Sequence, residues 1–297
     1  MVELVDTTDS KSVAFGRAGS SPARGTITKN CTIVIKMELG LKNKKALILG
    51  SSSGLGLSIA EALSQEGCDL ILASRNINKL ESIRDQFQQE SKVNCDIFGL
   101  DLTHTHSVDS FIESLKNIDV DILINNTGGP PPSNTANTEA MVWATYIQSI
   151  ILNTIKITDR VLPSMKEKKW GRIITITSSG VVQPIDNLLV SNTLRPAITG
   201  YMKTLSNEVA QYGITVNNVM PGRIMTDRRL QINQSRADKL GIAYDQAIEK
   251  SSAEIPIKRY GQSNEFGSVV CFLASEKASY ITGSNIRVDG GLIRSTW

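Results

Sequence analysis

From Lys44 onward, short apolar runs alternate with longer stretches in which apolar side chains recur every three or four positions. The runs Ala46–Leu49, Leu70–Ala73, Cys95–Leu100, Ile122–Ile124, Ile173–Thr177, Thr215–Val219 and Asn285–Val288 predict strands. The stretches Leu55–Glu66, Asn78–Gln89, Ser107–Asn117, Glu139–Lys166, Ser191–Tyr212 and Glu265–Ser275 predict amphipathic helices. Strands that are apolar throughout are covered on both faces, and strands separated by helices pair in parallel. Right-handed crossovers then wind the chain into one α/β domain, a doubly wound parallel sheet of about seven strands with helices on both faces. Residues 227–257 carry only short, weakly periodic helical pieces and read as a lid-like insertion over the site. No repeat with a period of 20–50 residues is present.

Residues 1–36 break the pattern. The stretch Asp6–Gly25 is rich in Ser, Thr, Gly, Arg and Asp and has neither periodicity. Early acids at Glu3, Asp6 and Asp9, without an apolar core, exclude a secretory signal. Two readings stand: a disordered extension, or a start placed too early, with translation beginning at Met37 ahead of a folded domain over residues 37–297.

Composition then narrows the function classes. The chain has 297 residues, 40% hydrophobic, long enough for one large core. Its 32 basic and 29 acidic residues are interspersed and only 5% are aromatic, which argues against nucleic acid as a partner. No apolar segment is long enough to span a bilayer. Cys31, Cys68, Cys95 and Cys271 lie far apart, and His104 and His106 are the only histidines, so neither a disulfide framework nor a zinc site is expected. A reducing, cytoplasmic setting follows as the expectation.

Between the first strand and first helix lies G-S-S-S-G-L-G, with Gly50, Gly54 and Gly56. Glycines there let a strand turn into a helix and let a diphosphate approach the backbone, while the helix N-terminus offers unpaired N–H donors. The context, strand then turn then helix, gives the triplet its meaning as a Rossmann-like nucleotide turn.

With this turn the chain resembles the short-chain dehydrogenase/reductase family over nearly everything after Met37. The resemblance is carried further by I-N-N-T-G at Ile124–Gly128, R-I-I-T-I-T-S at Arg172–Ser178, V-N-N-V-M-P-G at Val216–Gly222 and I-T-G-S-N-I-R-V-D-G-G at Ile281–Gly291. Among subfamilies the 3-oxoacyl carrier-protein reductases look similar. The resemblance implies an oxidoreductase that interconverts a carbonyl and an alcohol on a small or carrier-linked substrate. It implies dinucleotide contacts from Gly50, Ser52, Ser53, Gly54, Leu55 and Gly56, an adenine border at Asp101 and Leu102, and a floor at Asn126 and Gly128. Pro221, Gly222, Ile224 and Thr226 would wrap the nicotinamide and diphosphate. NAD-specific sites place an acid at the end of the second strand. This strand ends Ala73-Ser74-Arg75-Asn76, where Arg75 offers a fork to a 2′-phosphate, beside Asn76. NADP(H) is therefore favoured over NAD(H). The plainer reading leaves Arg75 in solvent.

The family's proton chemistry is not carried over. Its Ser falls at Ser178, but its Tyr position holds Ser191, its Lys position Arg195 and its helical Asn position Ile150. Ser191 has no acidic phenol, Ile150 holds no water, and Arg195 keeps the charge without cycling its proton near neutral pH. Tyr201 lies about 280° around the helix from Ser191, on a different face. Tyr146 and Tyr244 have no defined place. Three readings stay open. Ser178 and Arg195 bind the substrate oxygen while water supplies the proton and Arg195 holds the nicotinamide ribose; another group acts as the acid; or the chain binds dinucleotide without turnover, as a sensor or interaction module.

G-G-P-P-P-S at Gly128–Ser133 reads as a stiff edge of the substrate cleft or as a plain connector. The 227–257 segment carries Arg228, Arg229, Arg236, Lys239 and Lys250 against Asp238, Asp245 and Glu249, a basic excess suited to an anionic substrate and equally to a solvated face. In the family the two longest helices pair between subunits, implying a homo-oligomer, a tetramer or a dimer.

Overall fold

A computed structural model describes residues 37–296 and, by backbone alone, two short strands nearer the N-terminus. The chain divides into two units, Met1–Glu38 and Leu39–Trp297. In the first, Glu3–Val5 pairs antiparallel with Thr32–Val34, a strand pair that the sequence pattern did not predict. The remainder of that reading, with Cys31, lies outside the described residues.

The second unit holds seven parallel strands: β1 (Lys45–Leu49), β2 (Asp69–Ser74), β3 (Cys95–Gly99), β4 (Ile122–Asn125), β5 (Gly171–Ile176), β6 (Ile214–Pro221) and β7 (Asn285–Val288). Their order is β3-β2-β1-β4-β5-β6-β7, so the chain reverses its direction of winding at β1 and β4. Ligands of such sheets bind at the carboxyl edge of that switch point. The central strand shows why both faces are covered. Ala46 and Ile48 enter one core with residues of α1 (Gly54–Gln65), α2 (Ile77–Glu90) and α9 (Ser263–Ala274). Leu47 and Leu49 point the other way, into a core with α3 (Thr105–Ser114), α5 (Asn153–Lys168) and α6 (Leu189–Val209).

Three elements depart from the sequence expectation. The long helix expected over Glu139–Lys166 is α4 (Ala140–Tyr146), a π-helical turn at Ile147–Leu152, then α5. The helix expected from Ser191 begins at Leu189, so Ser191 lies in its first turn. Residues 227–257 hold two proper helices, α7 (Asp227–Leu240) and α8 (Tyr244–Ala253), where only weak helical pieces were expected. Thr226 caps α7 through the Arg229 N–H, and Gly241 ends it in the left-handed region. No helix among the described residues is long and apolar enough to cross a membrane.

Candidate functional site

The glycine turn leaves β1 with Gly50 N–H donating to Ala73 O at 2.8 Å, tying the turn to the end of β2. Gly54 adopts φ +58°, a region costly to residues with a Cβ, and opens α1. A Cβ on Gly56 would run into the Gly50 carbonyl oxygen, so turn and helix touch backbone to backbone. Ser53, the N-cap of α1, makes no capping bond with its side chain. The first-turn N–H groups therefore have no side-chain partner there, the arrangement that suits a diphosphate.

The neighbouring residues gather around this turn. Asn126 donates from Nδ2 to Gly50 O at 3.2 Å, fastening β4 to the turn. Thr226 lays its methyl against the place a Gly54 side chain would occupy, and a cavity of about 240 Å³ opens beside Ser53, Gly54 and Thr226. Pro221 ends β6, and Gly222 lies so close to Asp289 that a side chain would overlap it. Ile224 is buried and bridges to Gly261, so it braces the site from the core. Beyond β3, Thr103 donates its N–H and its hydroxyl to Asp101 Oδ1. Burial raises the Asp101 pKa, but the Thr103 bonds and His104 outweigh it and keep the carboxyl below its usual range. Leu102 O accepts from Asn153 Nδ2 at 2.8 Å. Ser52 and Leu55 flank the turn, half-buried. Gly128 has open space where a side chain would stand.

At the end of β2, Asn76 is engaged as the N-cap of α2, accepting from Lys79 N–H at 3.0 Å. Arg75 is exposed and, among the described residues, forms no ion pair or hydrogen bond. Its cation stands at the edge beyond the second strand.

On the other side of the switch point, Ser178 follows β5 half-buried and accepts from Gly180 N–H at 3.0 Å. Its own hydroxyl proton has no acceptor among the described residues. Ser191 is buried, and its hydroxyl makes no hydrogen bond among them either. Arg195 is turned inward. Nη1 donates to Thr127 Oγ1 at 3.0 Å and Ile176 O at 2.9 Å, and Nη2 to Thr127 O at 3.0 Å and Gly128 O at 2.9 Å. Burial, then the nearby Arg228, pushes its pKa down to about 10, still well above neutrality. Four of its five N–H groups thus hold three backbone carbonyls and the Thr127 hydroxyl, at the end of β5 and just after β4. Ile150 is packed into the core within the π-helical turn. Tyr201 hydrogen-bonds Asp159 at 3.4 Å, and burial pushes its phenol up to about 12, the wrong direction for an acid at this site.

Two residues were missed by sequence reading. Thr127 supplies two of the four acceptors for Arg195, and nothing in I-N-N-T-G marks it for that purpose. Asn192 clamps the loop after Ser178, accepting from Ile185 N–H and donating to Ile185 O. The proline segment is pinned at both ends. Arg228 donates to Gly129 O at 3.3 Å and Pro130 O at 3.0 Å, and Ser133 bridges to Leu188 at the start of α6.

The family described as Enoyl-(Acyl carrier protein) reductase matches residues 50–293. The NADPH-dependent reductase BacG of Bacillus subtilis is 32% identical over 262 residues, covering 86% of this chain and all of that one. The 3-oxoacyl-[acyl-carrier-protein] reductase FabG of Buchnera aphidicola subsp. Schizaphis graminum is 35% identical over 261 residues, covering 85% of this chain and 98% of that one. The chain belongs to the short-chain dehydrogenase/reductase family. Its fold agrees with that of L-sorbose reductase from Gluconobacter frateurii, solved with NADPH and L-sorbose, at a TM-score of 0.83 and 29% identity over 87% of this chain and all of that one. This short-chain dehydrogenase/reductase is accordingly an oxidoreductase acting between CH–OH and carbonyl groups.

Proposed function

We propose that the protein is an NADPH-dependent carbonyl reductase that works without a side-chain acid. The observation that carries this is the pairing of an open glycine cradle with a Ser178 hydroxyl whose proton is free to be given away, both at the carboxyl edge of one sheet. The cradle suits a dinucleotide: the absent Gly56 side chain lets the turn close backbone to backbone on the helix, and open space remains beside Ser53, Gly54 and Thr226. Gly50, Ser52, Ser53, Gly54, Leu55 and Gly56 would hold the diphosphate, and Asp101, Leu102, Asn126 and Gly128 the adenosine side. Pro221, Gly222, Ile224 and Thr226 would enclose the nicotinamide end. The uncommitted Arg75 favours a 2′-phosphate and hence NADPH over NADH, in keeping with an NADPH-dependent relative and a structural neighbour holding NADPH. Asn76 would contribute its backbone, because its side chain caps α2.

When bound, NADPH supplies a hydride to the carbonyl carbon. Ser178 donates to the carbonyl oxygen and stabilises the alkoxide that forms, the kind of preorganised donor that commonly contributes the largest catalytic share. Water gives the proton that completes the alcohol and is left as hydroxide. Ser191 leaves room at the site for that water, and Arg195 positions the Thr127–Gly128 backbone. The substrate is a small or carrier-linked carbonyl compound; a 3-oxoacyl relative supports the second kind. The protein works in the cytoplasm as a homo-oligomer.

NADPH consumption over a carbonyl panel, with NADPH fluorescence as a separate measure of binding, tests this. Ser178→Ala is expected to lower kcat about a hundredfold with binding unchanged. Binding of NADPH without turnover of any carbonyl would instead establish a dinucleotide-binding sensor, the reading that the changes at Ser191 and Ile150 favour.

A further inference from the structure

The clasp on the proline segment is made by two cations that have no carboxylate partner among the described residues. Arg195 holds the Thr127 and Gly128 carbonyls, and Arg228 holds the next two, Gly129 and Pro130. Arg195 also donates to Ile176 O, two residues before Ser178, so this strip of backbone runs beside the end of β5. Neither guanidinium pairs with a carboxylate among the described residues. The nearest acid in sequence, Asp227, lines the cavity beside the N-terminus of α1. Carbonyl dipoles satisfy N–H groups but cancel no net charge. Two like charges in a cleft whose proton-handling side chains are gone create a site that attracts a negative group.

Arg228 is the accessible member of the pair. It is exposed in the first turn of α7, and its two bonds leave the Nε hydrogen and one hydrogen on each terminal nitrogen. A planar fork of this kind matches a carboxylate. Gly129 lets it lie against the segment, because a side chain there would run into the guanidinium. We propose that Arg228 binds a carboxylate carried by the carbonyl substrate, with Arg195 behind it adding attraction, so that the preferred substrates are keto acids. This rests on the reductase reading and specifies its substrate. A carrier-linked thioester would bring no charge to that spot.

The test compares acetoacetate with methyl acetoacetate and with the N-acetylcysteamine thioester of acetoacetate, three ketones differing in the charge beyond the carbonyl. Acetoacetate is expected to be turned over with kcat/KM about tenfold above both neutral compounds. Arg228→Ala should raise KM for acetoacetate about tenfold more than for the ester, and Arg228→Lys should restore part of the difference. A neutral compound turned over as well as or better than acetoacetate overturns the proposal, as does an Arg228→Ala variant that weakens both alike. If no compound is reduced, calorimetry of acetoacetate with NADP⁺-loaded protein separates the two readings. Binding that Arg228→Ala removes upholds the anion site and no binding overturns it, while the reductase reading is decided by the wider carbonyl panel.

Discussion

A guanidinium taken out of water without a carboxylate beside it must find its acceptors in the backbone, and Arg195 finds three carbonyls and a threonine hydroxyl. Removing it leaves the Thr127 and Ile176 acceptors buried and unpaired as well as a cavity. Arg195→Ala is therefore expected to lower stability by about 3 kcal/mol or more in urea unfolding, a larger loss than its exposed neighbours would give. Arg195→Lys should recover little of this, since one ammonium cannot reach acceptors spread across a fork. An unfolding midpoint unchanged in the Lys variant would refute the positioning role. The same residue sets an expectation for pH. Its pKa, pushed down by burial and then by Arg228 to about 10, leaves it charged throughout roughly pH 6 to 9, and the Ser178 and Ser191 hydroxyls do not titrate there. The rate of carbonyl reduction should stay flat across that range and fall only as pH rises through about 10, when the proton is lost. A bell centred near neutrality in kcat would mean that an unrecognised acid takes part.

At the level of elements, the glycine turn is the joint between strand and helix on which cofactor binding depends. Gly56→Ala forces a Cβ against the Gly50 carbonyl and must open the joint. The expected outcome is a loss of NADPH affinity of at least about tenfold, read by NADPH fluorescence, with the far-UV spectrum unchanged. Full affinity in that variant would show that the diphosphate sits elsewhere. This joint was legible in the sequence, as were the strands, because a strand buried on both faces must be apolar at every position. Residues 227–257 were less so for an equally physical reason. The large apolar residues Leu230, Ile232 and Leu240 of α7 are exposed while its buried positions include Asn233 and Ala237, so the buried face is not the apolar stripe that periodicity looks for. The capping signals, Thr226 before and Gly241 after, were present and outweighed the absent stripe. The π-helical turn at Ile147–Leu152 shifts the helical phase, which a search for one uninterrupted period does not register. At the site, Ser178, Ser191 and Arg195 could be picked out by type and spacing, but the inward turn of Arg195 depends on carbonyls brought together from two strands. No local pattern encodes that meeting.

For the whole molecule, the rod formed by α4, the π-helical turn and α5 carries Met141, Ile147 and Leu152 exposed, with Met141 at 72%. Large apolar side chains left in water along a helical rod lose roughly 1.5–3 kcal/mol each that burial would return. The sheet beneath already has its face covered by this rod and α6, so no further part of the same domain is needed to close that core. A second copy presenting the same rod would provide the cover, and a two-fold contact would do so with one patch on each subunit. Light scattering should then report a mass at least twice that of one chain. Leu152→Glu, a charge placed in the middle of the contact, should reduce the mass to that of one chain while NADPH fluorescence still registers binding, because the glycine turn lies on the opposite helical layer with α1. A wild-type mass equal to one chain would exclude the contact, and a Leu152→Glu protein that keeps its full mass would move it to another surface, such as the one bearing Phe272 and Tyr280.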